Sequence, residues 1–231
     1  LSSWTITITN SSSNPKSYDP YSHCKGWKGV TCDNTTLNVV EISLSGLVLG
    51  GYIPTNLYQF RSLTSLDLSR NQLQGGIPPD GWNNLPSLRF LYLHRNRLTG
   101  HIPPQLSEAI GLMRIVLKHN NLDGSIPGEL FGGANLRNLT HFEIDSNNIT
   151  GAIPEGIGAS VSLQSFRASY NRLNGTLPDS IGNLSALHAF VVNNNRLSGQ
   201  VPASLWVLPN LTILNLSYND FTGPVSTNIS R

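Results

Sequence analysis

From Val39 onward the apolar positions follow a fixed rhythm. An apolar residue is followed by another three places on and a third two places further. Then come an asparagine, another apolar residue, a glycine and an Ile-Pro pair. The unit reads L-x-x-L-x-L-x-x-N-x-L-x-G-x-I-P. One copy is Leu63, Leu66, Leu68, Asn71, Leu73, Gly75, Ile77 and Pro78; another is Leu112, Ile115, Leu117, Asn120, Leu122, Gly124, Ile126 and Pro127. The lattice prolines are Pro54, Pro78, Pro103, Pro127, Pro154, Pro178 and Pro202, at intervals of 24, 25, 24, 27, 24 and 24 residues. The pattern predicts eight repeats over residues 39–231, starting near 39, 63, 88, 112, 139, 163, 187 and 211. The first carries Leu47 where the asparagine belongs, and the last keeps Asn219, Phe221 and Gly223 but has Ser226 at the proline position.

In L-x-x-L-x-L the last two leucines are two apart, so on a strand they point to one side, into a core. One strand per unit, stacked about 4.8 Å from the next, builds a long parallel sheet that no single unit could sustain. The asparagine follows the strand, where backbone groups lose their ladder partners. A column of Asn amides can satisfy those groups. Glycine permits the next bend, and proline fixes φ and ends any further ladder. Every Leu, Asn, Gly and Pro of the lattice therefore reads as structural. This is the leucine-rich-repeat pattern, and its L-x-G-x-I-P half resembles the plant-specific class of that family. The resemblance implies an α/β repeat solenoid, a right-handed superhelix with a parallel β-sheet on its concave face.

Residues 1–38 break the period and contain both cysteines, Cys24 and Cys32, around Trp27-Lys28-Gly29-Val30. No C-x-x-C motif is present, and two thiols with His23 are too few for a zinc site. A disulfide stapling a small amino-terminal cap is the expected reading. The segment resembles the cap of plant leucine-rich-repeat receptor-like kinases, whose pattern ends in C-x-W-x-G-V-x-C. Cys24 and Trp27 are one residue further apart than the commonest spacing there. Leu1-Ser2-Ser3-Trp4 resembles the tail of that cap's helix, so the sequence is expected to begin inside a partial cap. After Val225 no cysteine pair or polar cap follows. The natural chain is expected to be longer, with any membrane anchor or kinase domain beyond Arg231.

Composition narrows the function. The chain has 33 Leu and 25 Asn, is 12% charged and has a formal charge of +2. That is charge-poor for a soluble domain, where about a quarter is usual. It argues against disorder and against a nucleic-acid surface. Nine N-x-S/T sequons, at Asn10, Asn34, Asn138, Asn148, Asn174, Asn183, Asn210, Asn215 and Asn228, together with paired cysteines, indicate the secretory pathway. The expected location is the outer face of the plasma membrane or the cell wall. None of the sequons falls between Asn34 and Asn138, which marks a stretch left open for an approaching molecule. Phosphate-loop, serine-hydrolase and zinc-protease motifs are absent, so no enzyme, cofactor or metal is expected of this segment.

Function is therefore expected at the outward strand positions. The candidates are Phe90, Tyr92, His94 and Arg95 of the third repeat, Arg114, Val116, Lys118 and His119 of the fourth, His141, Glu143 and Asp145 of the fifth, and Arg167 and Tyr170 of the sixth. Aromatic and arginine side chains of this kind dominate binding hot spots. From Arg61 to Lys118 there are seven basic and three acidic residues, inside the sequon-free span. His94, His119 and His141 are expected to gain charge as pH falls through about 6.5. A metal or acid–base centre made from the histidines with Glu143 and Asp145 is the weaker reading, because a solvated face explains them as well. The resemblance implies a receptor ectodomain that binds a peptide, a protein ligand or a co-receptor ectodomain. The repeat count falls between the family's short co-receptors and its long peptide-sensing receptors. The R-x-R strand motif by which some members hold a peptide terminus is missing: Val116 follows Arg114 at that spacing, and Ser165 precedes Arg167. The alternative is a secreted inhibitor of a pathogen's cell-wall-degrading enzyme, although such inhibitors carry more repeats and a cysteine-rich end.

Overall fold

The computed structural model describes residues 28–131 and 136–224. Cys24, Asn10, Asn228 and most of the expected cap lie outside the described residues. The part that is described begins with a short antiparallel pair, Val30–Cys32 against Val39–Ser43, with Val30 opposite Ile42 and Cys32 opposite Val39. Its turn is closed by the Asp33 carboxylate, which accepts hydrogen bonds from the Thr35 and Thr36 backbone N–H at 2.9 and 2.7 Å and from both threonine hydroxyls. The Thr35 hydroxyl, with the other three donors, holds the Asp33 carboxyl well below the usual carboxylate range. Among the described residues no cysteine is free. Cys32 ends the first strand, and its expected partner is not among the described residues.

The second strand is the first of a parallel run, continued by Ser65–Asp67, Phe90–Tyr92, Arg114–Val116, His141–Glu143, Ser165–Arg167, Ala189–Val191 and Ile213–Asn215 in one nine-stranded sheet. Along the parallel strands the register is unbroken. Ile42, Leu66, Leu91, Ile115, Phe142, Phe166, Phe190 and Leu214 stand side by side on the inward face. In the middle repeats this row turns aromatic. The Phe142, Phe166 and Phe190 rings stack at centroid distances of 5.9 and 5.5 Å, and Phe131 meets Phe142 edge-on at 5.4 Å. Edge-on and offset aromatic pairs are each worth about 1 kcal/mol beyond their burial.

The asparagine column forms as the repeat pattern requires. In each repeat from Asn71 to Asn219 the amide oxygen accepts the backbone N–H of the preceding repeat, as from Leu98 to Asn120 at 3.1 Å. Its amide nitrogen donates to carbonyls both in its own repeat and in the repeat before, as from Asn120 to Leu117 and Leu93 at 2.9 and 3.0 Å. The residue before each of these asparagines has a positive φ: Arg70, Arg95, His119, Ser146, Tyr170, Asn194 and Tyr218 lie between 54° and 57°. This left-handed turn is uncommon outside glycine, and it swings the next residue inward to the column.

After the turn the chain forms strands again, which corrects the expectation that ladder pairing ends there. Gly50–Gly51, Gln72–Gly75, Arg97–His101 and Asn121–Asp123 make one four-stranded sheet. Thr150–Gly151, Arg172–Gly175, Arg196–Gln200 and Asp220–Thr222 make another. A bridge from Ser125 to Thr150 joins the two. These sheets form a lateral wall beside the strand face. Gly75 shows why this segment carries glycine: its φ is +74°, and a Cβ there would lie 2.6 Å from the Tyr52 ring. The proline follows and starts a 3-10 turn, as Pro103 does for Pro104–Glu108. Helical segments among the described residues are all 3-10 helices of three to five residues on the side away from the main sheet.

Candidate functional site

The parallel register arranges the outward side chains in rows that run across the repeats. One row is Glu41, Ser65, Phe90, Arg114, His141, Ser165, Ala189 and Ile213. The next is Ser43, Asp67, Tyr92, Val116, Glu143, Arg167, Val191 and Asn215. Beyond the strand ends lie His94, Lys118, Asp145 and Ser169, and then the turn residues Arg95, His119 and Tyr170.

The candidates from the third to the sixth repeat thus share one face, but they are not equally free. Phe90 and Tyr92 are half-buried and stack on each other at 6.4 Å and 5°, with His94 edge-on to Tyr92 at 6.4 Å. They form a supported ledge, each ring packed on a neighbour, and not two rings standing free in solvent. Val116 is only 4% exposed, between Tyr92 and Glu143 in its row, and is covered rather than offered to a partner. Glu143 is taken up by Lys118, with 2.6 Å between Oε2 and Nζ. Asp145 accepts from the Ser169 backbone N–H at 3.1 Å and from the Ser169 hydroxyl. Those two carboxylates position neighbouring groups. Arg95, His119 and Tyr170 are exposed, Tyr170 at 60%.

Arg114 and Arg167, the two arginines of the middle strands, have no carboxylate partner among the described ion pairs, which are His101–Asp123 and Lys118–Glu143. Arg114 donates from Nη2 to His141 Nε2 at 3.3 Å. A guanidinium can only donate, so that ring nitrogen accepts and the proton sits on Nδ1. Nδ1 then donates to Thr140 Oγ1 at 2.9 Å, while the Thr140 hydroxyl donates to the Met113 carbonyl at 2.8 Å. Burial, and then the nearby Arg114, push the His141 pKa below its ordinary value. Burial likewise lowers His94, opposed by Asp67 and reinforced by Lys118, Arg70 and Arg95. The expectation that both protonate near 6.5 is therefore corrected downward.

Where Ser165 and Ala189 follow His141 in the first row, small side chains leave an open depression of about 360 Å³. Gln164 and His188, just ahead of their strands, close one side of it, and Arg167 closes the other. Gln164, Ser165, His188 and Ala189 were not singled out from the sequence. The available signal was a small–small pair in register beside two arginines. No group of three metal-binding side chains occurs among the described residues, and no described helix is long and apolar enough to cross a membrane.

Models described as leucine rich repeat match residues 38–98, 138–160, 162–184 and 207–224. A putative leucine-rich repeat receptor-like serine/threonine-protein kinase of Arabidopsis thaliana is 40% identical over 131 residues, 57% of this chain and 13% of that protein. The chain thus spans about an eighth of that relative's length. Among solved structures, the plant peptide hormone receptor RGFR1 in complex with RGF2 aligns with a TM-score of 0.71 and 40% identity, covering 74% of this chain and 27% of that one. A chain of the BIR3–SERK2 complex from Arabidopsis thaliana aligns at 0.59 and 33% identity, covering 74% of this chain and 83% of that one.

Proposed function

We propose, from the premise that this chain belongs to the leucine-rich-repeat family, that it is the partner-binding part of an extracellular plant receptor. Its strand face from the second to the sixth repeat takes an extended peptide or the ectodomain of a co-receptor. The observation that carries this reading is the Phe90–Tyr92–His94 ledge beside Arg95 and Arg114, within the stretch that has no sequon. A rigid aromatic ledge buries area at little entropic cost, and arginines beside it select an acidic partner. The relatives support the class. The peptide hormone receptor RGFR1 is seen with RGF2, and BIR3 with SERK2, so related chains engage a separate partner. A repeat array offers a long surface and no deep catalytic cavity, which suits recognition. The test is Tyr92→Ala combined with Arg95→Ala in the secreted chain. Affinity for the partner should fall by about tenfold or more, since each hot-spot truncation costs about 1–2 kcal/mol. Unchanged affinity with normal folding places the interface elsewhere.

A further inference from the structure

The geometry points to the depression between Arg114 and Arg167 as a subsite for a single carboxylate, carried on an acidic side chain of the partner. This rests on the reading of the strand face as a partner surface and names the group that one part of it selects.

Three observations converge. First, Arg114 and Arg167 stand two repeats apart, Arg114 in the row of His141 and Ser165 and Arg167 two residues beyond Ser165 in the adjoining row, and neither has a carboxylate partner among the described ion pairs. The one acid in the depression, Glu143, is already bound to Lys118. The site is thus left with uncompensated positive charge, although the whole chain has a formal charge of only +2. Second, Ser165 is 7% exposed and its Oγ has no hydrogen-bond partner, although it belongs to the lining of the depression. Buried hydroxyls are almost always satisfied, so an orphan beside two arginines is a donor without its acceptor. Third, the histidines are arranged to respond. His188 donates from Nδ1 to the Ala186 carbonyl at 2.8 Å, which leaves its Nε2 free. His141 accepts from Arg114 through Nε2 and can do so only while neutral. A carboxylate taking the Arg114 donor frees that nitrogen to bind a proton, so binding draws a proton onto the ring. The charged groups around His141 are Arg114, Arg167, Glu143 with its partner Lys118, and His188 when protonated.

A planar carboxylate fits because a guanidinium fork donates to both of its oxygens at once. The volume of about 360 Å³ exceeds that of the carboxylate alone and leaves room for the side chain that carries it. Ser165 Oγ is covered in the free chain, so it meets the ligand only after a neighbouring side chain moves.

The experiment needs no identified partner. The folded chain is titrated at constant ionic strength with N-acetyl-glutamic acid α-amide, with its neutral counterpart N-acetyl-glutamine α-amide and with inorganic sulfate. The His141 and His188 ring resonances are followed by NMR. The carboxylate compound is expected to give a saturable shift and an upward move in the His141 titration midpoint; the neutral compound should give neither. Arg114→Gln with Arg167→Gln should weaken the response by at least tenfold, and Ser165→Ala should weaken it severalfold without altering the free protein's fold. An equal response in the double variant, or none in the wild type, overturns the subsite. Saturation by sulfate but not by the carboxylate overturns the assignment to a carboxylate. Loss of partner binding on Tyr92→Ala with Arg95→Ala is a separate result, so the wider reading of the face and this subsite can fail independently.

Discussion

Replacing Asn120 with alanine measures what the asparagine column contributes. Its side chain is 7% exposed and makes three bonds: it accepts from Leu98 N–H at 3.1 Å and donates to the Leu93 and Leu117 carbonyls. The two carbonyls are not orphaned by the change, because Asn96 also donates to Leu93 at 3.0 Å and Asn147 to Leu117 at 3.2 Å. The Leu98 N–H has no such reserve. It is left unpaired inside the core, at about 1–3 kcal/mol, and each lost donation adds about 0.5–1 kcal/mol. The sum is about 3 kcal/mol. At the open end, Asn219→Ala removes the same kinds of bond from a half-exposed residue where water can replace them, so about 1 kcal/mol is expected. Urea unfolding followed by circular dichroism reads both, and Asn120→Ala should lower Tm by about 6–10 °C. A loss below about 1 kcal/mol for Asn120→Ala, or equal losses at the two sites, refutes the account of the column.

Two further outcomes follow from the same geometry. His94 and His141 have pKa values below the unfolded value of about 6.5, so in the window beneath it the unfolded chain binds more protons and stability declines as pH falls. Tm recorded from about pH 7.5 to 5.5 should drop, and drop less in His94→Gln with His141→Gln; a flat or rising Tm contradicts the burial argument. Asn138, Asn174 and Asn183 are exposed away from the strand face and should carry glycans. Asn215, on the face, accepts from the Ser217 N–H and hydroxyl at 3.2 and 2.7 Å and should not. Glycopeptide mass spectrometry decides, and a fully occupied Asn215 would rule out a partner at that end of the face.

Much of this architecture was legible in the sequence, because a solenoid repeats each physical requirement in the same place. The Leu66, Leu91 and Ile115 row follows from the two-residue spacing alone, and the Asn71-to-Asn219 column from the need to satisfy backbone groups after each strand. The lateral sheets were missed although Gln72-Leu73-Gln74-Gly75 and Arg97-Leu98-Thr99-Gly100 alternate as strands do. The glycine and proline that follow masked the signal, since their turn role was read as the end of all pairing. The site was legible only in outline. Period two tells which side chains point outward, but not which are covered by neighbours one strand away. Val116 is buried by its row, and Phe90 and Tyr92 support each other. The depression depends on the register of Ser165 and Ala189 across two strands, which a single repeat cannot reveal.

A glycan placed on the strand face tests the central claim most directly. Tyr92→Asn with His94→Thr creates a sequon around Leu93 on the ledge, and Gln72→Asn with Gln74→Thr creates one around Leu73 on the lateral wall. Both secreted variants, shown to be glycosylated and folded, are compared for partner binding with the unmodified chain. The account predicts that the glycan on the ledge abolishes binding and the lateral one leaves it intact. Binding that survives on the ledge and is lost on the lateral wall would contradict it.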